Sequence, residues 1–145
     1  MRLYDLIKND KVNITETGDL FSSDGLFLVM CNDNDDVVGK VELFCPYFGN
    51  MVDSVYDELH KKSKILNKDN NIYLYDLYIN PKFRNMGYAT NLIDKCKEIT
   101  LENDCNYLTL ITRSDNEPAK KLYKKYGFNV EYSDDIKEFY YLPVT

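Results

Sequence analysis

Residues 72–90 read IYLYDLYINPKFRNMGYAT, and the fold turns on them. Positions 72–79 are rich in aromatic and β-branched residues, the chemistry of a pleated, half-buried strand. Asn80-Pro81 stops that strand, because Pro81 has no N–H for a ladder. From Ala89 onward the apolar residues Ala89, Leu92, Ile93, Cys96 and Ile99 return at helical spacing, with Lys and Glu between them. The connection is Arg84-Asn85-Met86-Gly87-Tyr88-Ala89. A strand feeding a glycine-bearing turn that opens a helix aims free N–H groups at one spot, which also sees the positive end of the helix dipole. Such a spot suits an anion such as phosphate. Gly87 and Ala89 are small where a backbone would approach a ligand, and Arg84 adds a fixed positive charge at the rim. The same residues would also serve as a plain strand-to-helix connection.

Downstream, Asn103-Asp104 ends the helix and 107–112 is a strong strand, expected to pair parallel with 72–79 through a right-handed crossover. The loop 113–118 enters a second helix, with Pro118 in its first turn, an apolar stripe of Ala119, Leu122, Tyr123 and Tyr126, and Gly127 as its stop. Positions 128–132 and 139–143 close the sheet as an antiparallel pair. Upstream, 3–7 and 12–15 read as short strands. The runs 26–31 and 37–44 flank an Asn/Asp-rich turn and predict an antiparallel hairpin. Between 46 and 71, Val52, Val55, Tyr56 and Leu59 fall at helical spacing, so a helix is expected over 51–63. One mixed α/β domain over 1–145 accounts for these elements, without repeats or low-complexity linkers.

Composition narrows the function. A chain of 145 residues, 44% hydrophobic, is large enough for one real core. No apolar run approaches the roughly 20 residues that span a bilayer, and the first residues lack a signal pattern. A cytoplasmic protein without a membrane partner is expected. The cysteines Cys31, Cys45, Cys96 and Cys105 are scattered and the single histidine, His60, reads as a surface residue, so no zinc site is expected. The net charge is −6 and no sustained basic run appears, which argues against nucleic acid and favours a cationic partner. The lysines at 120, 121, 124 and 125 read most simply as a solvated helix face, with a lesser expectation of holding an anion.

Two motifs carry a family resemblance. The first is Arg84-x-x-Gly87-x-Ala89 after the strand ending Leu77-Tyr78-Ile79-Asn80-Pro81. The second is Asn116-Glu117-Pro118-Ala119-x-x-Leu122-Tyr123-x-x-x-Gly127-Phe128. In order and in matching context, they resemble the GNAT superfamily of N-acetyltransferases, over about 26–143. The resemblance implies a twisted mixed sheet with helices on both faces, whose two central parallel strands splay to admit acetyl-CoA. It implies that the backbone of Leu77 and Ile79 pairs with the pantetheine arm. The amides of Arg84, Asn85, Met86, Gly87, Tyr88 and Ala89, with Thr90, would hold the pyrophosphate; Asn116 would contact the cofactor. Tyr123 would offer its hydroxyl to the thioester sulfur as the acid, and the Ile79 amide is a plausible oxyanion donor. Asp76 and Glu42 are the candidate bases, Glu42 on the expectation that it faces the same cleft.

Two departures stand out. Residues 8–25 leave no room for the two helices that the family usually places between its first two strands. The segment 46–71, conversely, is inserted where a tight connection is usual, and is expected to shape the acceptor side. The implied reaction is transfer of an acetyl group to a primary amine of a small molecule or peptide, by direct attack in a ternary complex. A noncatalytic acyl-CoA-binding or regulatory module is the alternative. A nucleotide-binding protein of another type fits less well, since the Gly-x-x-x-x-Gly-Lys-Ser/Thr pattern is missing. The acceptor, and whether the final strands pair in a homodimer, stay open.

Overall fold

In the computed structural model, residues 12–22, 24–45 and 70–145 are described. The expected strand at 3–7, the helix at 51–63 with His60, and 46–69 of the inserted segment lie outside them.

Alternating and continuous apolar runs form β1 (Val12–Gly18), β2 (Leu26–Asn32), β3 (Val37–Phe44), β4 (Asn71–Ile79), β5 (Tyr107–Arg113), β6 (Asn129–Ser133) and β7 (Lys137–Pro143). Two helices join them, α1 (Tyr88–Glu102) between β4 and β5 and α2 (Glu117–Tyr126) between β5 and β6. The strands make one sheet in the order β1-β2-β3-β4-β5-β7-β6, parallel at β4–β5 and antiparallel elsewhere. β1 extends past the expected 12–15 through Thr17 and Gly18 of Thr17-Gly18-Asp19, a stretch with turn chemistry. The turn chemistry sits one residue later, where Asp19 Oδ1 accepts the Phe21 N–H at 2.9 Å and the Asp19 N–H reaches Gly25 O.

The larger core lies between this sheet and the helices. Leu28, Met30, Val41, Leu43, Ile72, Leu108 and Leu110 meet Leu92, Ile93, Cys96 and Ile99 of α1 and Tyr123 of α2. Each fully buried aliphatic side chain there contributes about 1.5–3 kcal/mol by leaving water. A second cluster is built on Tyr73 and Phe139, with Phe44, Tyr107, Ile111, Tyr132 and Tyr141 packed around them. Lys120 ties α2 down: its Nζ donates to Ser114 O at 3.1 Å and lies 3.5 Å from Glu138 Oε1. Glu138, buried on β7, also accepts the Tyr140 and Ser133 hydroxyls; the Tyr140 bond is the main cause that holds its carboxyl below the usual range.

Two irregularities in β4 position the site. The first is a bulge. Lys40 faces Tyr78 and Glu42 faces Tyr75, so Asp76 and Leu77 together oppose Val41, with Asp76 at φ 56°. Asp tolerates the left-handed region better than most residues, and Lys40 Nζ holds its carboxylate at 3.1 Å. The extra residue shifts the strand's phase. Ile72 and Leu74 point into the core, and after the bulge Leu77 and Ile79 do so in place of Asp76 and Tyr78.

The second irregularity is a divergence. β4 and β5 pair only at Asn71–Tyr107, Ile72–Leu108 and Tyr73–Thr109. Beyond those pairs β3 accompanies β4 out to Ile79, and β7 accompanies β5 out to Arg113, but the two central strands part. A buried polar clip closes the vertex. The Thr109 hydroxyl lies 3.1 Å from Ile72 O and 3.3 Å from Asn71 Oδ1, and donates to one of them. Thr109→Val keeps the volume and removes this donor, so it is expected to cost about 1–2 kcal/mol in urea denaturation. An unchanged midpoint would show that the clip contributes nothing.

Candidate functional site

The divergence opens a cleft of about 910 Å³, lined by the end of β4, the turn before α1 and one face of α2. Its floor begins at Ile79. The Asn80 N–H bonds Val38 O at 2.8 Å. Antiparallel alternation then turns the N–H and C=O of Ile79, one residue earlier, away from β3 and into the gap. Arg84 confirms the direction, because its Nε donates to Ile79 O at 3.0 Å while its guanidinium stands 5.6 Å over the Tyr78 ring. Gly39 makes this close approach feasible. A Cβ there would stand 2.6 Å from Ile79 Cδ1 and 2.8 Å from Tyr78 O.

The turn that follows uses two left-handed residues, Asn85 at φ 62° and Gly87 at φ 86°. Gly87 is the N-cap of α1, without a capping side chain, and no acid occupies the first turn. The first amide bonded back to the cap is that of Asn91, at 3.3 Å from Gly87 O. The amides of Tyr88, Ala89 and Thr90 therefore open α1 without a side-chain cap, at its positive end. Arg84, Asn85, Gly87, Tyr88, Ala89 and Thr90 all line the cleft. Met86, singled out with them by sequence, is exposed and does not; its neighbours at left-handed φ turn the backbone past it.

On the facing wall, Asn116 caps α2, its Oδ1 accepting the Ala119 N–H at 3.3 Å, which leaves its side-chain NH2 as a donor. Tyr123 is only 8% exposed and packs edge-on against Phe128, with Tyr140 beside it. Burial, and secondarily the nearby Cys96 thiol, push its phenol up to about 12. It lines the cleft as a neutral hydroxyl.

Asp76 and Glu42 are brought together, but outside the cleft-lining residues. Val41 and Leu43 take the inward positions of β3, so Glu42 stands on the other face, opposite Tyr75. The expectation that Glu42 faces the cleft is thus corrected. Partial burial, then repulsion from Asp76, raise its carboxyl above the ordinary value against the pull of Lys40.

The sequence profile of the acetyltransferase (GNAT) family matches residues 2–128, a span containing every cleft-lining residue. The chain belongs to the GNAT family. Curated relatives include the thialysine N-epsilon-acetyltransferase of Bos taurus, 38% identical over 60 residues, which are 41% of this chain and 35% of that one. Another is the N-alpha-acetyltransferase 30 of Homo sapiens, 38% identical over 56 residues, 39% of this chain and 16% of that one. The matches thus span about a third or less of these relatives. Among solved structures, a GNAT acetyltransferase from Staphylococcus aureus Mu50 superposes with TM-score 0.65 over 93% of this chain and 100% of that one, at 15% identity. A Bacillus anthracis structure in complex with acetyl coenzyme A gives TM-score 0.63 over 83% and 62%, at 20% identity. At these identities the likeness is one of fold.

Within this GNAT cleft, Phe83 and Tyr126 are wall residues that sequence reasoning did not assign to the site, and Lys125, read chiefly as solvated with a lesser expectation of holding an anion, lines it too. The stripe Ala119, Leu122, Tyr123, Tyr126 reads as core packing, and it is also the cleft wall. Tyr126 additionally donates its hydroxyl to Asp94 Oδ1 on α1, joining the two helices. Burial and that carboxylate together raise its phenol well above the ordinary value. Tyr126→Phe is expected to lower stability by about 1 kcal/mol in a denaturant titration. Asp94→Asn in the same background should then add little, which a double-mutant cycle checks.

Proposed function

We propose that this chain transfers an acetyl group from acetyl-CoA to a primary amine by direct attack in a ternary complex. The observation that carries the reading is the open edge of β4: one cleft joins the Ile79 amide, the Tyr123 hydroxyl and the uncapped start of α1. The donor set fits the carrier. Leu77 and Ile79 offer strand-like backbone to an amide-bearing pantetheine arm. The amides from Gly87 to Thr90, with the Thr90 hydroxyl and Arg84, suit a pyrophosphate, and the Asn116 side-chain NH2 is left to reach the same ligand. When bound, acetyl-CoA supplies an activated acyl group as a thioester.

The rest is done by residues of the chain. In the reaction the amine nitrogen bonds the acyl carbon, the carbon–sulfur bond breaks, and the sulfur leaves as a thiol. The Ile79 N–H is aimed to meet charge building on the acyl oxygen. Tyr123 donates the proton that the sulfur needs. Of the two carboxylates, Glu42, on the opposite face of the sheet, suits uptake through water of the proton lost from nitrogen, because Asp76 is occupied by Lys40. Relatives named for N-epsilon and N-alpha acetylation support an amine acceptor. The net charge of −6 favours a cationic one.

The test is an amine panel with acetyl-CoA, following thiol release. Tyr123→Phe is expected to lower kcat about 100-fold while KM for acetyl-CoA stays within about twofold. Retained kcat would remove Tyr123 as the acid, and a flat panel for the unaltered chain would remove the catalytic reading. A phenol held near 12 keeps its proton as the amine loses its own. Hence kcat should climb with pH and show no descending limb below about pH 10.

A further inference from the structure

The cleft has a charge bias opposite to that of the chain. Asp and Glu number 24 against 18 Lys and Arg, yet among the described residues no carboxylate lines the cleft, whereas Arg84 and Lys125 both do. They stand on different elements. Arg84 is pinned to the turn by Ile79 O and the Tyr78 ring, beside the uncapped amides of α1. Lys125 belongs to the last turn of α2. Neither forms an ion pair with a described carboxylate. The paired lysines of the helices are others, Lys120 with Glu117 and Glu138, and Lys95 with Glu16 and Glu98. Asp94, the acid bonded to the cleft-lining Tyr126, is engaged by that hydroxyl. Among the described residues, Lys125 is thus a cation on the cleft wall with no carboxylate paired to it.

A carrier bearing only a diphosphate would be matched by the turn amides and Arg84, leaving Lys125 unused. Coenzyme A carries a third phosphate, a monoester on the 3′-oxygen of its ribose, close to dianionic at neutral pH. A compact ammonium on a flexible four-carbon stem suits such a terminal group better than a rigid fork would. We propose that Lys125 recognises this 3′-phosphate and makes the cleft select the 3′-phosphorylated carrier. The inference rests on the cofactor reading above and adds a specificity residue to it. At an exposed rim the pairing is screened, so the preference is modest and shrinks as salt rises.

Isothermal titration of the full chain with coenzyme A and with 3′-dephospho-coenzyme A tests it. The unaltered chain should favour coenzyme A about two- to fivefold, the size expected of an exposed phosphate–ammonium contact. In Lys125→Gln the preference should fall to near parity through weaker coenzyme A binding alone, with 3′-dephospho-coenzyme A unaffected, which also shows that the variant is folded. Lys121→Gln, on the same helix but outside the cleft, should keep the full preference. Parity in the unaltered chain, or full preference in Lys125→Gln, overturns the assignment while leaving the cofactor reading intact. Binding of neither ligand to the unaltered chain overturns both.

Discussion

The brevity of one parallel pairing governs this molecule. β4 and β5 share three residue pairs and then part, held at the vertex by Thr109, Asn71 and the Ile72 carbonyl. Hydrogen bonding penalises unmet backbone groups, so two strands separate inside a sheet only if something else holds each of them. Here β3 follows β4 to Ile79 and β7 follows β5 to Arg113. The outer strands act as splints, and the gap between the inner two becomes the cleft. The cofactor-side features assigned to function border that gap or the turn it leads to.

The bulge at Asp76 serves the same geometry. Strict alternation from Ile72 and Leu74 would carry Asp76 and Tyr78 into the apolar interior, at the cost of an unpaired charge there. One extra residue corrects the phase, so that Leu77 and Ile79 face inward and Asp76 reaches Lys40 at the surface. Glycine at 39 then lets the end of β4 settle on β3. The backbone frame at Ile79, with its N–H aimed into the gap, follows from this packing rather than from any contact with a ligand.

Much of this was legible in the sequence, for identifiable reasons. Strand 72–79, its stop at Pro81 and the helix after Gly87 are dictated by local chemistry, and each formed within a residue of its expected bounds. The spacing 72, 74, 77, 79 already breaks a period of two, and is the signal by which the bulge can be found. Its consequence for Glu42 was harder to see, because the face taken by a β3 residue depends on register with a strand far along the chain. Tyr126 was hidden for a different reason. An apolar stripe looks the same whether it covers a core or walls a cleft, and only the divergence of two distant strands decides between them.

A notch between two strands of one sheet presents backbone amides to whatever enters it, beside a helix start lacking a side-chain cap. Anything that threads the notch and meets those amides binds the native chain and not the unfolded one, so it shifts the folding equilibrium in proportion to the logarithm of its concentration. The durability of such a fold is therefore coupled to whatever threads its notch.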